Sequence, residues 1–346
     1  MTAGHTLTAA DLHAVAAQMR QAGEPPAGPL SATPLTGGRS NLTYRLDDGA
    51  SSWVLRTPPR HGRTPSAHDV TREFTVTRAL VGTGVPVAHP VLLCEDESVL
   101  GVPFLLARFA PGLSVQTRTQ LDKLAGDTVS EMVRALLDAL VALHSVDYTA
   151  VGLADFGRPA GYAQRQIRRW TQQWTHVGDP NLTPLAEQLS TRLASIDFAQ
   201  DFTGIVHGDY RIDNTLIGIG ERSCAVRINA IVDWELSTIG DPTADVAMMC
   251  VYRHPALDLV LGFPSAWASP GLPGADDLAA AYERSSGRSL RQWDAHMALG
   301  YFKLAVIAAG IDHRYRAGAA HGAGFDTAAT AVQPLLEAGM GRFAAH

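Results

Sequence analysis

The sequence predicts an α+β chain in two lobes, a β-rich first lobe and a mainly helical second one. Three observations carry this. Between residues 32 and 109 apolar positions come in short alternating runs broken by turn residues, with one helical stretch among them. From residue 127 onward the apolar spacing changes to threes and fours, the helical period. Within that helical half, residues 205–247 return to short apolar runs that carry acids at their ends. Strands gathered in one region and helices in another point to segregated α+β packing. The lobes are expected at 1–110 and 111–346, with the break at Pro111-Gly112.

Taken in order, residues 8–23 read as an amphipathic helix. Thr8 is a suitable N-cap, Asp11 lies in the first turn, and Leu12, Val15, Ala16 and Met19 make the apolar stripe. Residues 23–29, rich in Pro and Gly, form a turn or linker. Residues 32–46 and 52–56 read as strands around the turn Asp47-Asp48-Gly49, with the glycine-bearing bend TGGRS at 36–40. Residues 58–65 are a basic loop, and 66–81 read as a helix with Val70, Phe74, Thr77 and either Leu80 or Val81 inward. Two more strands follow at 90–95 and 102–109. The helical half opens with 127–146, striped by Val129, Met132, Val133, Leu136, Leu140 and Leu143. A helix over 160–177 carries Trp170 and Trp174 at core-like spacing, and another covers 183–196. The last helices are expected at 275–284, 290–316 and 327–343.

Bulk composition bounds the function. A chain of 346 residues with 46% hydrophobic content can bury a core in each of two lobes. A net charge of −6 without a basic cluster argues against a nucleic-acid partner. Cys94, Cys224 and Cys250 are scattered, as reduced buried thiols are. The first residues lack the pattern of a secretory signal, and apolar stretches such as 136–143 are short for a bilayer. A soluble, cytoplasmic protein without a membrane partner is expected, and its oligomeric state is not legible.

The chemistry concentrates in residues 205–247. The apolar runs Gly204–Val206 and Thr215–Ile219 flank a polar insert, and a third run at 225–232 leads to Asp233. Asp209, Asn214 and Asp233 thus stand at the ends of strand-like segments. Hard oxygen donors so delivered suit a Mg²⁺ and phosphate site.

His207-Gly208-Asp209, with Asn214 five residues further on, and Asp233-Trp234-Glu235 resemble the paired motifs of protein kinases. They are more similar to those of the aminoglycoside phosphotransferase family of small-molecule kinases, in which Gly240-Asp241-Pro242 and Asp245 also have counterparts. The phrases GGRSNLTYRL, WVLRTPP, SAHDVTREFTV and GTGVPV resemble one branch, the kinase domain fused to some acyl-CoA dehydrogenases. This resemblance implies a two-lobed protein-kinase-like fold, ATP and Mg²⁺ as cofactors, and a small-molecule substrate phosphorylated on a hydroxyl. For the branch it implies a hydroxyacyl compound or its CoA ester. An aminoglycoside or other antibiotic kinase and a nucleotide-binding pseudokinase are the alternatives.

The resemblance also implies roles. Asp209 would orient the acceptor hydroxyl and take its proton, and Asn214 and Asp233 would hold Mg²⁺. His207 would organise the loop, and Glu235 would be a further metal contact or a loop acceptor. Gly37, Gly38, Ser40 and Asn41 would cover the phosphates, glycine allowing close backbone approach. Arg56 stands where kinases have Lys and would pair with Glu73. Arg60, Arg63, Arg168 and Arg169 could serve anionic groups. Asp241 and Asp245 read as caps of a helix that starts at Pro242. Arg108 receives no role.

Overall fold

The computed structural model describes residues 6–35, 41–59, 69–220, 225–318 and 324–343. Gly37, Gly38 and Ser40 of the expected phosphate cover lie outside them, as do Arg60, Arg63 and Cys224. The chain divides into two units, Met1–Gly112 with Asn229–Ser237, and Leu113–Ile228 with Thr238–His346.

The first unit begins with α1 (Ala9–Gln21), held at its start by a capping box in which Asp11 N donates to Thr8 Oγ1 and Thr8 N to Asp11 Oδ2. Five strands follow as β1 (Ser31–Pro34), β2 (Leu42–Asp47), β3 (Ser52–Thr57), β4 (Pro90–Cys94) and β5 (Phe104–Arg108). They form an antiparallel sheet in the order β1-β2-β3-β5-β4. Residues 32–46 are thus two strands, as a strand-to-strand break between residues 35 and 41 led one to expect, and residues 36–40 lie outside those described. Asp48 closes the β2–β3 turn by accepting from the backbone N–H groups of Ala50 and Ser51.

Alternation sorts the side chains. Tyr44, Leu46, Trp53, Leu55, Phe104 and Leu106 join Val15 and Met19 of α1 in one core. Leu105 and Ala107 face the other way and meet Val70 of α2 (Val70–Leu80). Arg56, between Leu55 and Thr57, shares that second face. Helix α2 starts at Val70 rather than 66, because Asp69 caps it by accepting from Arg72 N. A one-turn α3 (Glu97–Leu100), invisible to periodicity, precedes β5. Arg108 binds Glu24 through two hydrogen bonds of 2.9 Å, and that guanidinium holds the Glu24 carboxyl below its usual range.

The second unit contains α4 (Arg118–Leu121), α5 (Gly126–His144), α6 (Tyr162–Val177) and α7 (Thr183–Ala194). Short strands β6 (Gly204–Val206), β7 (Thr215–Ile219), β8 (Val226–Ile231) and β9 (Thr238–Gly240) come next, β8 crossing into the first unit's segment. β6 pairs with β9 and β7 with β8. Then follow α8 (Pro242–Val251), α9 (Ala256–Leu261), α10 (Ala275–Ser286), α11 (Trp293–Arg316) and α12 (Ala328–Gly341).

Helix α11 is the axis of this unit and packs on α6, α7, α8 and α12. It starts at Trp293 rather than 290, after Gln292 in a left-handed conformation at φ 52°. The expectation that every apolar stretch is short for a bilayer is corrected here. α11 is long and apolar enough to cross one, yet 83% of its apolar window is buried within the protein, as befits a core helix. Cys94 and Cys250 are buried free thiols.

Candidate active site

In the second unit, β6 delivers the chain to His207 and Gly208, and a single 3-10 turn, Ile212–Asn214, returns it to β7. Asn214 is buried, and its Nδ2 donates to the Asp209 backbone carbonyl at 2.8 Å and to Asp209 Oδ2 at 2.9 Å. Arg211 Nη2 lies 3.3 Å from the same carboxylate oxygen. Tyr252 is buried beside Asp209, and desolvation together with that carboxylate pushes its phenol well above the ordinary value. It stays a proton donor. Asp209 is therefore held from several sides in one orientation.

The loop that carries Asp209 hangs on a carboxylate read from sequence as a cap. Asp245 is fully buried on α8. Its Oδ2 accepts from His207 N at 2.7 Å and its Oδ1 from Gly208 N at 2.8 Å. His144 Nε2 lies 3.2 Å from Oδ2, and His144 Nδ1 lies 2.8 Å from the Tyr282 hydroxyl. The carboxylate selects the Nε2–H tautomer, so Nδ1 accepts from the tyrosine. Burial opposes the Asp245 charge, but His144 and His207, the latter partly through its backbone N–H, outweigh it and hold the carboxyl below its usual range. Asp241, by contrast, does cap α8, accepting from Thr243 N.

His207 is fully buried, and its Nδ1 accepts from Asp209 N at 3.3 Å. Gly208 stands at φ 82°, a backbone conformation that favours glycine. Its carbonyl accepts from Lys303 Nζ on α11 at 2.9 Å. Four elements, β6, α5, α8 and α11, thus converge on this turn.

In the first unit, Arg56 Nη1 pairs with Glu73 Oε1 at 2.8 Å and Nη2 with Asp233 Oδ1 at 3.0 Å. Burial works against the Arg56 charge, but the Glu73 and Asp233 carboxylates outweigh it and keep the guanidinium above its ordinary value. Glu235 adds to the same field. Asp233 has φ 66° and ψ 57°, a left-handed conformation that costs a non-glycine residue about 1 kcal/mol or more. The following Trp234 anchors it, buried and donating from Nε1 to the Ile231 carbonyl at 2.9 Å. Asn41 is buried, and among the described residues neither atom of its side-chain amide finds a hydrogen-bond partner.

Two groupings of expected residues are thus brought together: His207, Asp209 and Asn214 in one unit, and Arg56, Glu73, Asp233 and Glu235 in the other. Trp170 departs from the core reading. Trp174 is buried, whereas Trp170 is half-buried and lines a pocket beside Gly208. Arg168 and Arg169 are exposed. Lys303, His144 and Asp245 were missed in these roles. Their signal was a charged or titratable residue inside an otherwise apolar helix.

Residues 31–295 match the model of the phosphotransferase enzyme family. The chain is 35% identical over 324 residues to the chicken protein called acyl-CoA dehydrogenase family member 11, matching 91% of this chain but only 40% of that one. The chain thus spans two fifths or less of the curated relatives it matches. A solved structure from Ralstonia eutropha, whose own assignment as an aminoglycoside phosphotransferase is provisional, superposes with a TM-score of 0.79 at 33% identity, over 95% of this chain and 97% of that one. A thermostable variant of aminoglycoside phosphotransferase APH(4)-Ia, solved with AMP-PNP and hygromycin B, gives 0.63 at 18% identity, over 96% and 99%, a likeness of fold alone. The fold is kinase-like, as its motifs led one to expect. The chain belongs to the phosphotransferase enzyme family.

Proposed function

We propose that this chain is an ATP- and Mg²⁺-dependent kinase that phosphorylates a hydroxyl of a small molecule, a hydroxyacyl compound or its CoA ester. The observation that carries the reading is the clamp on Asp209. A carboxylate held by Asn214 and Arg211, on a loop fixed through Asp245, suits a group that must orient an acceptor hydroxyl and take its proton. Phosphoryl transfer depends on such positioning more than on covalent chemistry.

The donor set also suits Mg²⁺. Asn214 commits Nδ2 to Asp209, which leaves its amide oxygen to face a cation, and Asp233 offers a carboxylate. Among the described residues no three His, Cys, Asp or Glu side chains could hold a metal by themselves. Magnesium fits that economy, since it takes one or two protein carboxylates or amides and completes its shell with phosphate oxygens and water. Bound there, it would neutralise phosphate charge. Arg56 would contact phosphate as a permanent cation, with Glu73 fixing its direction. Asn41, with its amide unspent, would join the phosphate cover of Gly37, Gly38 and Ser40. A cytoplasmic location accords with ATP use.

The test is ADP release by purified protein with Mg²⁺ and ATP against hydroxy acids, their CoA esters, amino alcohols, sugars and aminoglycosides. Turnover of a hydroxyacyl compound, lost in Asp209→Asn, is the expected result. Turnover of antibiotics with no response to acyl compounds would refute the substrate class. No acceptor-dependent release with any member would refute the kinase.

A further inference from the structure

A small, partly open pocket lies in the second unit, with walls from α6, α8 and α11. Trp170, Met248 and Leu299 give it apolar surface, and Gly208, the residue before Asp209, and Asp245, whose carboxylate is spent on the His207 and Gly208 amides, form part of its lining. Two polar side chains that line it are incompletely satisfied. Lys303 spends one N–H on the Gly208 carbonyl, and among the described residues no carboxylate forms an ion pair with it. An ammonium has three donors, so two remain. Its Nζ lies 6.0 Å from the centre of the Trp170 ring.

His296 is 1% exposed, and among the described residues neither of its ring nitrogens finds a hydrogen-bond partner. Asp241 Oδ2 lies 3.6 Å from its Nε2, outside hydrogen-bond reach. Buried polar groups are normally paired, so two incomplete ones facing a single pocket mark a place that a ligand completes. Burial lowers the Lys303 ammonium below its ordinary pKa, against the opposing pull of Asp209 and Asp245.

We infer that Lys303 is a positioning and specificity-determining residue. One N–H fixes the Gly208 carbonyl and with it the Asp209 loop, and the others receive an oxygen of the acceptor held in this pocket. The pocket then takes acceptors with a carboxylate or acyl carbonyl near the reacting hydroxyl and an apolar body against Trp170, and it repels acceptors that present an ammonium there. Discrimination of this kind joins an attractive contact to a repulsive one. The inference rests on the kinase reading for its reaction and on the pocket alone for its binding preference.

Binding is read without nucleotide, by calorimetry and ligand-observed NMR. The probes are hydroxy carboxylates with chains of four to eight carbons, their methyl esters, and the amino alcohols of the same lengths. Carboxylates or esters should bind and amino alcohols should not. Carboxylates binding more tightly than esters would identify an anion partner for Lys303, and equal binding a carbonyl partner. Lys303→Met should weaken the bound class about ten- to hundredfold, the range for a charge-assisted hydrogen bond, and Lys303→Arg should restore most of it. If Lys303→Met does not fold, Lys303→Gln serves the same comparison.

Amino alcohols binding as well as carboxylates, an affinity in the folded variant within twofold of wild type, or no binding by any probe would each overturn the inference. For the acceptor that turns over, Lys303→Met should raise KM and lower kcat. A merely structural lysine would lower thermal stability without changing the ratio of affinities between carboxylate and amino alcohol. Absent phosphoryl transfer with intact Lys303-dependent binding would sink the kinase reading and leave this inference standing.

Discussion

Replacing Asp245 by asparagine tests what holds the loop of His207, Gly208 and Asp209. The carboxylate accepts from two backbone N–H groups at 2.7 and 2.8 Å and faces His144 at 3.2 Å, with no exposure to solvent. Asparagine keeps one oxygen, so one of the two N–H groups loses its acceptor and meets an NH₂ instead. A hydrogen bond to a charged group is worth about 1.5–3 kcal/mol, and an unmatched buried amide adds about 1–3 kcal/mol. The expected destabilisation of Asp245→Asn is therefore about 2.5–6 kcal/mol, a large part of what a domain has. Urea denaturation followed by circular dichroism measures it as a fall in midpoint, and any folded fraction should show a depressed kcat because Asp209 loses its fixed direction.

The pH dependence has a sign as well. The Asp245 carboxyl sits below its usual range in the folded chain, so the unfolded chain binds more protons under acid conditions. Its stabilisation is complete above the unfolded value of about 3.9 and drains away as pH falls below that toward the folded value. Asp245→Asn should flatten this acid limb. A midpoint shift worth under about 1 kcal/mol, with kcat intact, would refute the idea that this carboxylate holds the loop.

Other outcomes follow from the same geometry. Asp209→Asn should keep nucleotide affinity within about twofold while transfer falls by about a hundredfold or more, the contribution of a positioned base, as coupled ADP assays would read. Arg56→Met strands Glu73 and Asp233, and thermal unfolding should register a loss of about 3 kcal/mol, the low end for breaking a buried pair because Asp233 is one-third exposed. Arg56→Lys keeps the charge but not the fork that bridges both carboxylates, so it should recover only part of that loss. Gly208→Ala forces a side chain into φ 82° and should cost about 1–2 kcal/mol along with activity, whereas an alanine at exposed Arg168 should change neither by more than measurement error.

Much of the architecture was legible because local chemistry and global packing agree. Thr8 and Asp11 announce the start of α1, and the alternation of Trp53, Leu55 and Thr57 against Arg56 already separates a core face from a polar one. The residues of the polar loop were legible by type and spacing. What periodicity could not carry were short pieces and long-range partners. β9 has three residues, too few for a pattern, and the start of α11 depends on Gln292 adopting a left-handed conformation that no local signal demands. Asp245 looked like a capping residue because Pro242 and Asp241 beside it explain a helix start so well. Its two amide partners lie 38 and 37 residues away in sequence, and only tertiary structure brings them to it. Lys303 was hidden by its helix, whose buried residues occupy almost every side.

The segment Asn229–Ser237 belongs to the first unit although the chain reaches it only after most of the second has begun. On a ribosome the first unit therefore cannot be finished when residue 112 emerges. Arg56 and Glu73 are made early, but Asp233, the second carboxylate on the Arg56 fork, arrives only after roughly two thirds of the 346 residues have been synthesised. Until then a charged cluster waits incomplete on a sheet that is otherwise ready to fold. A gene fragment cut at the apparent boundary would never complete it, so the two units are bound to a shared order of assembly by the path of the chain itself.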